Sequence, residues 1–322
     1  IKQNKNVVLF VGQGCKNAYK FLRQIAIRLK LPVCTTLHGL GIFDETHFQS
    51  LKMVGMHGSP VSNFAIQQAD LIIGIGARFD DRTIGTIKTY APCAQIAYNE
   101  KRGGIVNINI NTLKTIQPHF QFTYDVKVFL QELWNNIKQD SYFRSYAYLQ
   151  NKNKWLVYLN DLKKTHAFNY NKNEILKTQD ILVYLNMLLQ KEKFIITTGV
   201  GNHQQFTSMY IKFKNPNTIL TSGSAGTMGV CLPYLIGASY NTTKDTLLIG
   251  IDGDGSFNMT YNELQNVKMY NIPIKLFIMN DGKLQMVATW QDLFFNKKQI
   301  ATNSYNPNYK CIAEAWNITY VV

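Results

Sequence analysis

The sequence lacks the patterns that mark several common classes of protein. Its five cysteines form no CxxC pair, which argues against a disulfide framework or a zinc site and favours a reducing compartment. Its six histidines form no HExxH motif and no close cluster, and no Walker A phosphate-binding loop is present. No apolar run approaches the ~20 residues that a membrane-spanning helix requires, so we expect no membrane association.

Acidic residues are scarce, since 20 Asp and Glu stand against 34 Lys and Arg and the formal net charge is +14. Such an excess raises the question of nucleic-acid binding, which depends on basic side chains placed against phosphates. The lysines are scattered among Asn, Ile and Tyr without a dense basic stripe or a nucleic-acid motif, so we expect no nucleic-acid partner. The bias is typical of an AT-rich genome, which is a hypothesis about coding.

What is present is the composition of a folded globular protein. Hydrophobic residues make up 46% and charged residues 17% of the 322 residues, and this length allows two domains with separate cores. The chain begins at Ile1, without an initiator methionine or a signal-peptide pattern, and enters an apolar run at residue 7. We therefore expect the sequence to be a fragment.

Short apolar runs alternate with helical patterns along most of the chain. Buried strands that alternate with helices indicate parallel sheets covered on both faces. We therefore predict an α/β fold with two doubly wound parallel-sheet domains. The predicted strands are 7–11, 32–37, 70–76 and 103–110 in the first region and 194–198, 218–221, 246–251, 274–279 and 318–322 in the second, and a helix is predicted over 19–29.

The sequence between the two regions is polar and aromatic. We interpret residues 138–177 as a connecting helix and linker, which gives predicted domains at 1–137 and 178–322. The final predicted strand reaches the last residue, so we expect the second domain to be incomplete at its C terminus.

Glycine turns follow two predicted strands of the first domain, at the strand ends where parallel sheets bind ligands. Residues 12–14 and 74–76 each have only the first half of a GxGxxG dinucleotide motif, and a plain tight turn explains them equally well. Arg78 and Arg82 follow the second turn and can bind a phosphate, with Asp80 holding an arginine in place. A solvated salt-bridge loop is the alternative interpretation.

Carboxylates follow two predicted strands of the second domain. Asp254 and Asp281 suit Mg²⁺, which uses one or two protein carboxylates and completes its shell with phosphate and water oxygens. The backbone N–H groups of Gly255 and Ser256, at the start of a predicted helix that runs through Val267, can bind a phosphate. A loop with capping aspartates is the alternative interpretation.

Several longer motifs resemble one family. "GDGSF" followed by "ND" resembles the thiamine-diphosphate signature, and "TTGVGNHQQF", "TSGSAGTMGVCLP", "GDGSFNMTYNEL" and "MVATWQDLFF" are similar to the large catalytic subunit of acetolactate synthases. In the first domain, "TTLHGLGIFD", "GMHGSPVSNFAIQQADLIIGIGARFDDR" and "RGGIVNININ" resemble the central, FAD-binding domain of that family. The resemblance runs from about Val7 to the end of the chain in a single order.

The resemblance implies a transferase that uses thiamine diphosphate, Mg²⁺ and a non-redox FAD. The implied reaction decarboxylates pyruvate and condenses the hydroxyethyl carbanion with pyruvate or 2-oxobutyrate, the first common step of valine, leucine and isoleucine biosynthesis. A pyrimidine-binding domain with a catalytic glutamate is expected to precede this chain. Another thiamine-diphosphate 2-oxoacid decarboxylase or carboligase, or a non-catalytic homologue, is the alternative.

The resemblance also implies roles for individual residues. In the second domain, Mg²⁺ would be held by Asp254, Asp281 and the carbonyl of Lys283, the diphosphate by Asn202, His203, Gly255 and Ser256, and the bent cofactor by Gly226 and Met228, while Met228, Met286 and Trp290 would serve catalysis. Packing is the alternative role for Met286 and Trp290. In the first domain, FAD would be held by Gly12, Gly14, Thr36, Leu37, Met56, His57, Gly76, Ala77, Arg78, Asp80, Arg82, Asn109 and Asp125.

The sequence departs from the family at four sites. Asp281 replaces an asparagine, which adds a negative charge beside the diphosphate. Residues 224–225 replace a Gly-Leu pair and Gln285 replaces a glycine, so added side chains are expected to crowd the cofactor. Asn109 replaces an acidic residue near FAD.

The family implies partners and a compartment as well. We expect a homodimer or larger assembly with the active site between subunits, and a small regulatory subunit as a possible partner. The composition fits an organelle-encoded or a bacterial gene, so we expect the chloroplast stroma if the gene is organelle-encoded and the cytoplasm otherwise.

Overall fold

The computed structural model describes residues 1–172 and 175–322, and residues 173 and 174 of the predicted linker lie outside the described residues. The chain forms two compact units. The N-terminal unit comprises Ile1–Asn171 with Lys212–Pro216, and the C-terminal unit comprises Lys172–Ile211 with Asn217–Val322. The N-terminal unit thus includes the helix that was predicted as a connection, whereas the predicted assignment of domains to cofactors remains a prediction.

The N-terminal unit contains six strands and six α-helices. The strands are β1 (Val7–Val11), β2 (Val33–Thr35), β3 (Ser50–Met53), β4 (Leu71–Ile75), β5 (Gly104–Asn109) and β6 (Phe120–Thr123). The helices are α1 (Tyr19–Arg28), α2 (Pro60–Gln68), α3 (Asp81–Ile84), α4 (Pro92–Asn99), α5 (Val126–Ile137) and α6 (Tyr146–Thr165).

These six strands form one parallel sheet in the order β3-β2-β1-β4-β5-β6. Successive side chains of a strand point to opposite faces, so an all-apolar strand such as β1 supplies both faces with core. Leu9 packs with Leu22 of α1 on one face, and Phe10 packs with Trp155 of α6 on the other. The strand order reverses between β1 and β4, which opens a crevice beyond their carboxyl ends.

The described part of the C-terminal unit contains four strands and seven α-helices. The strands are β7 (Lys193–Thr198), β8 (Ile219–Leu220), β9 (Thr246–Gly253) and β10 (Ile274–Met279), in the parallel order β10-β9-β7-β8. The helices are α7 (Thr178–Leu188), α8 (Asn202–Tyr210), α9 (Cys231–Ser239), α10 (Asp254–Phe257), α11 (Leu264–Met269), α12 (Gln285–Phe294) and α13 (Tyr309–Ala315). This order reverses between β7 and β9.

The predicted α/β fold with two doubly wound parallel sheets is confirmed. The predicted strand at 318–322 is wrong, because β10 is the edge of its sheet among the described residues and this segment pairs with no strand there. Ile318 packs partly on the core instead, while Val321 is 85% exposed. β3 and β6 were not predicted. Within the described residues, no helix is long and apolar enough to cross a bilayer.

The predicted helix from residue 254 through residue 267 is also wrong in its extent. The chain forms a single turn in α10, a 3₁₀ turn at Tyr261–Glu263 and then α11. The break lies at Thr260, whose backbone is extended in φ (−141°) and whose hydroxyl donates a hydrogen bond to the carbonyl of Gly229 at 2.8 Å. A side chain that bonds a distant backbone carbonyl holds the chain outside a continuous helix.

Candidate functional site

The carboxyl ends of β9 and β10 bring the two predicted metal ligands together. Gly253 and Met279 are paired in the sheet register, so Asp254 and Asp281 follow neighbouring positions. The backbone N–H of Gly282 donates to Oδ2 of Asp254 at 2.9 Å. Burial, and next the charge of Asp254, raise the pKa of Asp281 above its ordinary value. The two carboxylates are therefore close enough to repel each other.

Asp254 is 2% exposed and its carboxylate is held on several sides. Oδ1 accepts a hydrogen bond from the N–H of Gly255 at 2.8 Å, and Oδ2 accepts one from Nδ2 of Asn306 at 2.5 Å. The same Nδ2 donates to Oδ1 of Asn280 at 2.8 Å. A carboxylate oxygen has two acceptor positions, so Oδ1 of Asp254 retains one for a cation. Asn306 was missed by sequence reasoning, because it lies in a polar loop without a motif.

The donor set is small, and this fits magnesium better than zinc. In the described part of the chain no group of three or more His, Cys, Asp and Glu side chains could hold a metal ion. Asp281 accepts a hydrogen bond from the N–H of Lys283 at 3.2 Å, and Lys283 pairs with Asn303 in an isolated antiparallel bridge. Mg²⁺ needs only one or two carboxylates when phosphate and water oxygens complete its octahedron. The residues present therefore fit a Mg²⁺–diphosphate group.

His203, a predicted diphosphate contact, lies at the start of α8 and is 7% exposed. Its Nε2 lies 3.4 Å from Oδ1 of Asp252, which is fully buried. Burial lowers the pKa of His203 and raises the pKa of Asp252. Asp252 was missed by sequence reasoning, although a carboxylate directly after the buried run 248–251 was a signal that could have found it.

Two glycines leave the space that these side chains occupy. A Cβ on Gly199 would lie 2.1 Å from Oδ1 of Asp252 and 2.2 Å from Oγ of Ser256. A Cβ on Gly253 would lie 2.9 Å from Nδ1 of His203. Real Cβ atoms do not approach other atoms this closely, so the glycines of the motifs "TTGVG" and "GDG" are required by neighbouring side chains of the unit itself.

The Ser256 side chain connects α10 to the segment that carries Met228. Ser256 is 2% exposed, and its Oγ accepts a hydrogen bond from the N–H of Gly229 at 2.9 Å. A Cβ on Gly255 would lie 3.8 Å from Cε of Met228, so the predicted apolar support lies beside the predicted phosphate-binding amides. Gly226 adopts a positive φ of 61° in open space, and residues 224–225, which replace Gly-Leu, are exposed.

A second side chain from α8 holds the beginning of this segment. Gln204 is 8% exposed, and its Nε2 donates to Oγ1 of Thr221 at 2.7 Å and to the carbonyl of Ser222 at 2.9 Å. Oγ of Ser222 in turn accepts from the N–H of Thr227 at 3.0 Å. The buried amide of Gln204 therefore holds the start of the turn that contains Gly226. Sequence reasoning did not single out this residue.

The predicted substrate-side residues lie on α12, next to the start of α8. The Sδ of Met286 accepts a hydrogen bond from Nε2 of Gln205 at 3.0 Å. Nδ2 of Asn202 lies 3.4 Å from Oγ1 of Thr289, one residue before Trp290. Trp290 is partly buried and stacks on Phe294, with ring centroids 4.8 Å apart, so part of its surface serves packing. Gln285 is half-buried at the first position of this helix.

In the N-terminal unit, the glycine turns after β1 and β4 pack backbone against backbone. The N–H of Gly14 donates to the carbonyl of Gly76 at 3.0 Å. A Cβ on Gly12 would lie 2.2 Å from that carbonyl oxygen, and one on Gly14 would lie 2.7 Å from Cα of Gly76. These glycines therefore hold the two turns together at the crevice between β1 and β4, where doubly wound sheets bind their ligands.

Cationic groups gather at the same crevice. The guanidinium of Arg78 is 64% exposed and lies 3.2 Å from Oδ2 of Asp80, whose other oxygen caps α3 by accepting from the N–H of Thr83. Arg82 approaches Sδ of Met56 at 3.7 Å. Asp80 therefore restrains Arg78, and the arginine remains open to an anionic ligand.

The pKa values of the two histidines beside this crevice are lowered. Burial and the charge of Arg82 lower the pKa of His57. Burial and the charges of Lys16 and Arg78 lower the pKa of His38, a residue that sequence reasoning missed. The effect of Lys16 and Arg78 on one imidazole places both cations near it. An elongated anionic cofactor fits this positive edge.

The remaining predicted FAD residues have structural partners in the unit. The N–H of Thr36 donates to the carbonyl of Val11 at 2.9 Å, and Leu37 begins a 3₁₀ turn. Nδ2 of Asn109 donates to the carbonyl of Ala77 at 3.0 Å. Oδ1 of Asp125 caps α5 by accepting from the N–H groups of the second and third residues after it. These contacts lie at the carboxyl edge of the sheet.

Comparisons with known proteins identify the family that both parts of the chain match. Residues 1–133 match the family "Thiamine pyrophosphate enzyme, central domain", and residues 199–322 match "Thiamine pyrophosphate enzyme, C-terminal TPP binding domain". The mitochondrial acetolactate synthase of Schizosaccharomyces pombe is 39% identical over 99% of this chain and 48% of its own length.

Relatives from other kinds of organism match as well. The chloroplastic acetolactate synthase 1 of Nicotiana tabacum is 35% identical over 96% of this chain and 44% of its own length. The acetolactate synthase large subunit of Buchnera aphidicola is 32% identical over 98% and 54%. The chain spans about half the length of the curated relatives it matches.

Proposed function

The chain belongs to the thiamine pyrophosphate (thiamine diphosphate) enzymes and is a homologue of acetolactate synthases, and from that membership we propose that it is the cofactor-binding part of an acetolactate synthase catalytic subunit. The proposed reaction joins two 2-oxoacids with loss of carbon dioxide, using pyruvate and either a second pyruvate or 2-oxobutyrate. The observation that carries the proposal is the meeting of Asp254 and Asp281 at the ends of adjacent strands.

The metal site follows from the charges of this pair. Burial and next the charge of Asp254 raise the pKa of Asp281, and a divalent cation bound between the two carboxylates would offset both effects. Asp254, Asp281 and the carbonyl of Lys283 would hold Mg²⁺, and Asn202, His203, Gly255 and Ser256 would contact the diphosphate. When bound, thiamine diphosphate supplies the reactive carbon that attacks the ketone and accepts the electrons released with carbon dioxide.

The chain's own residues position and shield the reactants. Met228 lies beside Gly255 as an apolar support, next to the open turn at Gly226. Met286 and Trp290, on α12 beside the start of α8, would line the side from which the second 2-oxoacid enters. An apolar wall excludes water from a reacting centre, and the stacked indole would set the size of the acid accepted.

FAD is proposed for the N-terminal unit, in the crevice between β1 and β4. Arg78 supports this proposal because its guanidinium is largely exposed yet restrained by Asp80. Bidentate contact with a phosphate is a role for which arginine is well suited.

The proposal extends to the assembly and the location of the protein. We propose a homodimer or a larger assembly, with a small regulatory subunit as a partner. The compositional bias supports a gene encoded in a plastid.

The test combines binding with product analysis. The 322-residue chain and a form extended by the upstream sequence of its gene are supplied with thiamine diphosphate, Mg²⁺, FAD and pyruvate. Acetolactate is the expected product of the extended form, and acetohydroxybutyrate is expected once 2-oxobutyrate is added. Binding without any decarboxylation would favour a non-catalytic homologue, and a different product would favour another carboligase.

A further inference from the structure

Asp252 is a carboxylate that neither the sequence motifs nor the proposed function uses. It is the second-last residue of β9 and is 0% exposed. The strand before it is buried and apolar, so the chain places a charge-bearing group at the end of a hydrophobic run. Carboxylates are rarely buried completely unless they are paired. The side chains that contact the Asp252 carboxylate should therefore indicate its role.

The first neighbour is His203. Nε2 of His203 lies 3.4 Å from Oδ1 of Asp252, and the two side chains are 6% and 0% exposed. Across the described residues, neither Nε2 of His203 nor Oδ2 of Asp252 has a hydrogen-bond partner. Buried polar atoms without partners are unfavourable, so the imidazole and the carboxylate are placed to pair with each other, and the backbone of Gly199 is a second polar neighbour of the imidazole.

The other edge of the imidazole lies against backbone. A Cβ on Gly253 would lie 2.9 Å from Nδ1 of His203, and a Cβ on Gly201 would lie 3.2 Å from the same atom. The ring therefore fills a slot between two glycines that is closed at one end by Asp252. With a carboxylate at Nε2, that nitrogen is the one expected to carry the proton.

The second neighbour is Ser256. Its hydroxyl lies beside the Asp252 carboxylate and opposes the rise in the pKa of that group, while its Oγ accepts a hydrogen bond from the N–H of Gly229 at 2.9 Å. Gly229 directly follows Met228. Gly199 also lies here, and a Cβ on it would lie 2.1 Å from Oδ1 of Asp252 and 2.2 Å from Oγ of Ser256.

We propose that Asp252 is a positioning residue for the diphosphate site. It fixes the His203 imidazole and the Ser256 hydroxyl and, through Ser256, the backbone that carries Met228. The inference rests on the proposed function, because it concerns how the same site holds a Mg²⁺–diphosphate group. Asp252 acts only through these groups, since it lies beneath them and is fully buried.

The first test needs no variant. The ¹⁵N chemical shifts of the His203 ring are measured in the 322-residue chain without cofactor at pH 9, at which Asp252 is ionised. The expected result is a ring that carries its proton on Nε2, facing Asp252. A ring protonated on Nδ1 alone would overturn the inference, because Nε2 would then be an acceptor turned toward an acceptor.

The second test measures the binding of Mg²⁺–pyrophosphate by calorimetry. Asp252→Asn is expected to weaken binding roughly 10-fold or more, as removal of a carboxylate that orients a ligand-binding histidine commonly does. Amide exchange at Gly229 is expected to accelerate, because an amide offers one acceptor oxygen where the carboxylate offers two. Unchanged affinity together with unchanged exchange at Gly229 would contradict the inference.

Asp245→Asn is the matched control. Asp245 precedes the same strand at its opposite end, forms an exposed ion pair with Lys193, and loses the same charge on substitution. Its affinity for Mg²⁺–pyrophosphate is expected to equal that of the unchanged chain. An equal loss in both variants would assign the effect to net charge and overturn the positioning role.

A double-mutant cycle tests whether Asp252 acts through His203. The affinity loss of Asp252→Asn combined with His203→Asn is expected to be smaller than the product of the two single losses. Independent, multiplicative losses would overturn the inference.

Failure of the proposed function can be told apart from failure of the positioning role. If the unchanged chain binds neither Mg²⁺–pyrophosphate nor Mg²⁺–thiamine diphosphate, the proposed function itself fails. Equal binding by the unchanged chain and Asp252→Asn defeats only the positioning role.

Discussion

Oδ2 of Asp254 accepts a hydrogen bond from the backbone N–H of Gly282 at 2.9 Å. Gly282 adopts a φ of +68°, which a residue with a side chain rarely adopts, so the loop after β10 turns back toward the end of β9. This turn places Asp281 beside Asp254, where burial and next the charge of Asp254 raise the pKa of Asp281. The candidate metal site is thus made by one backbone contact between adjacent strand ends.

Asp281→Asn is expected to stabilise the cofactor-free chain at neutral pH. The pKa of Asp281 is raised in the folded chain, so its ionised form is disfavoured there. The resulting loss of folding stability is absent below the ordinary carboxyl pKa of about 4. It develops as the pH rises from that value toward the pKa of Asp281 in the folded chain, and it is complete above the folded-state pKa. Denaturant unfolding from pH 3 to pH 8 should therefore show a stabilisation that appears only at the higher pH.

The control for this titration is Asp245→Asn, which has the opposite sign. The Asp245 carboxylate is bonded by Lys193, which lowers its pKa. Its stabilising contribution is present above the ordinary carboxyl value and is lost as the pH falls through the folded value. A pH-independent effect of Asp281→Asn, or a destabilisation at neutral pH, would show that the two carboxylates do not repel each other.

Gly199→Ala and Gly237→Ala are expected to change stability in opposite directions. A Cβ on Gly199 would meet Asp252 and Ser256 at distances near 2 Å, so the side chains must shift, at a cost of about 1–3 kcal/mol. A Cβ on Gly237, inside α9, would meet nothing within 4 Å, and alanine is favoured over glycine in a helix by about 0.5–1 kcal/mol. Thermal and urea unfolding would check both values, and equal effects would contradict the close approach at Gly199.

Arg78→Gln is expected to weaken FAD binding about 10-fold or more, because a hydrogen bond to a charged phosphate is lost. Flavin fluorescence during titration of the chain gives the affinity. Arg102→Gln is the matched control, since Arg102 is a similarly exposed arginine of the same unit but pairs with Asp70 and Glu100 away from the crevice. If the two variants bind FAD equally well, Arg78 is not a flavin contact.

Asp125→Ala is expected to destabilise the N-terminal unit by about 1 kcal/mol, because the cap of α5 is lost. Asp125→Asn retains the capping oxygen, so its free energy of unfolding should stay near that of the unchanged chain. Guanidinium unfolding followed by helix circular dichroism measures both variants. An FAD affinity that falls in Asp125→Asn despite unchanged stability would give Asp125 a role in the cofactor site beyond capping.

The pattern of the sequence was sufficient for most of the fold. The all-apolar runs of β1 and β4 predicted buried parallel strands, because only strands covered on both faces are apolar at every position. The polar residues that follow β9 and β10 predicted a metal and phosphate site, because the carboxyl ends of neighbouring parallel strands lie at the same edge of the sheet. The short edge strand β6 has mostly exposed residues and gave no such signal.

Other features depended on which residues meet across the fold. Residues 318–322 have a strand-like sequence, but a strand requires a pairing partner, and in the described chain this segment pairs with no strand. Asn306 holds Asp254 from 52 residues away, a distance along the chain that no local pattern spans. The requirement for Gly199 is likewise invisible locally, because it arises from two side chains of another strand and helix.

The sequence by itself determined the strand and helix periodicity, the glycine turns and the chemistry available at the strand ends, because these depend on local preferences and on the alternation of apolar residues. Only the tertiary structure decided that Asp252 lies behind His203, that Gly282 turns Asp281 toward Asp254, and that Asn306 holds Asp254. Charge interactions and hydrogen bonds act over a few ångströms, so they are set by the folded distances between side chains and not by their order along the chain.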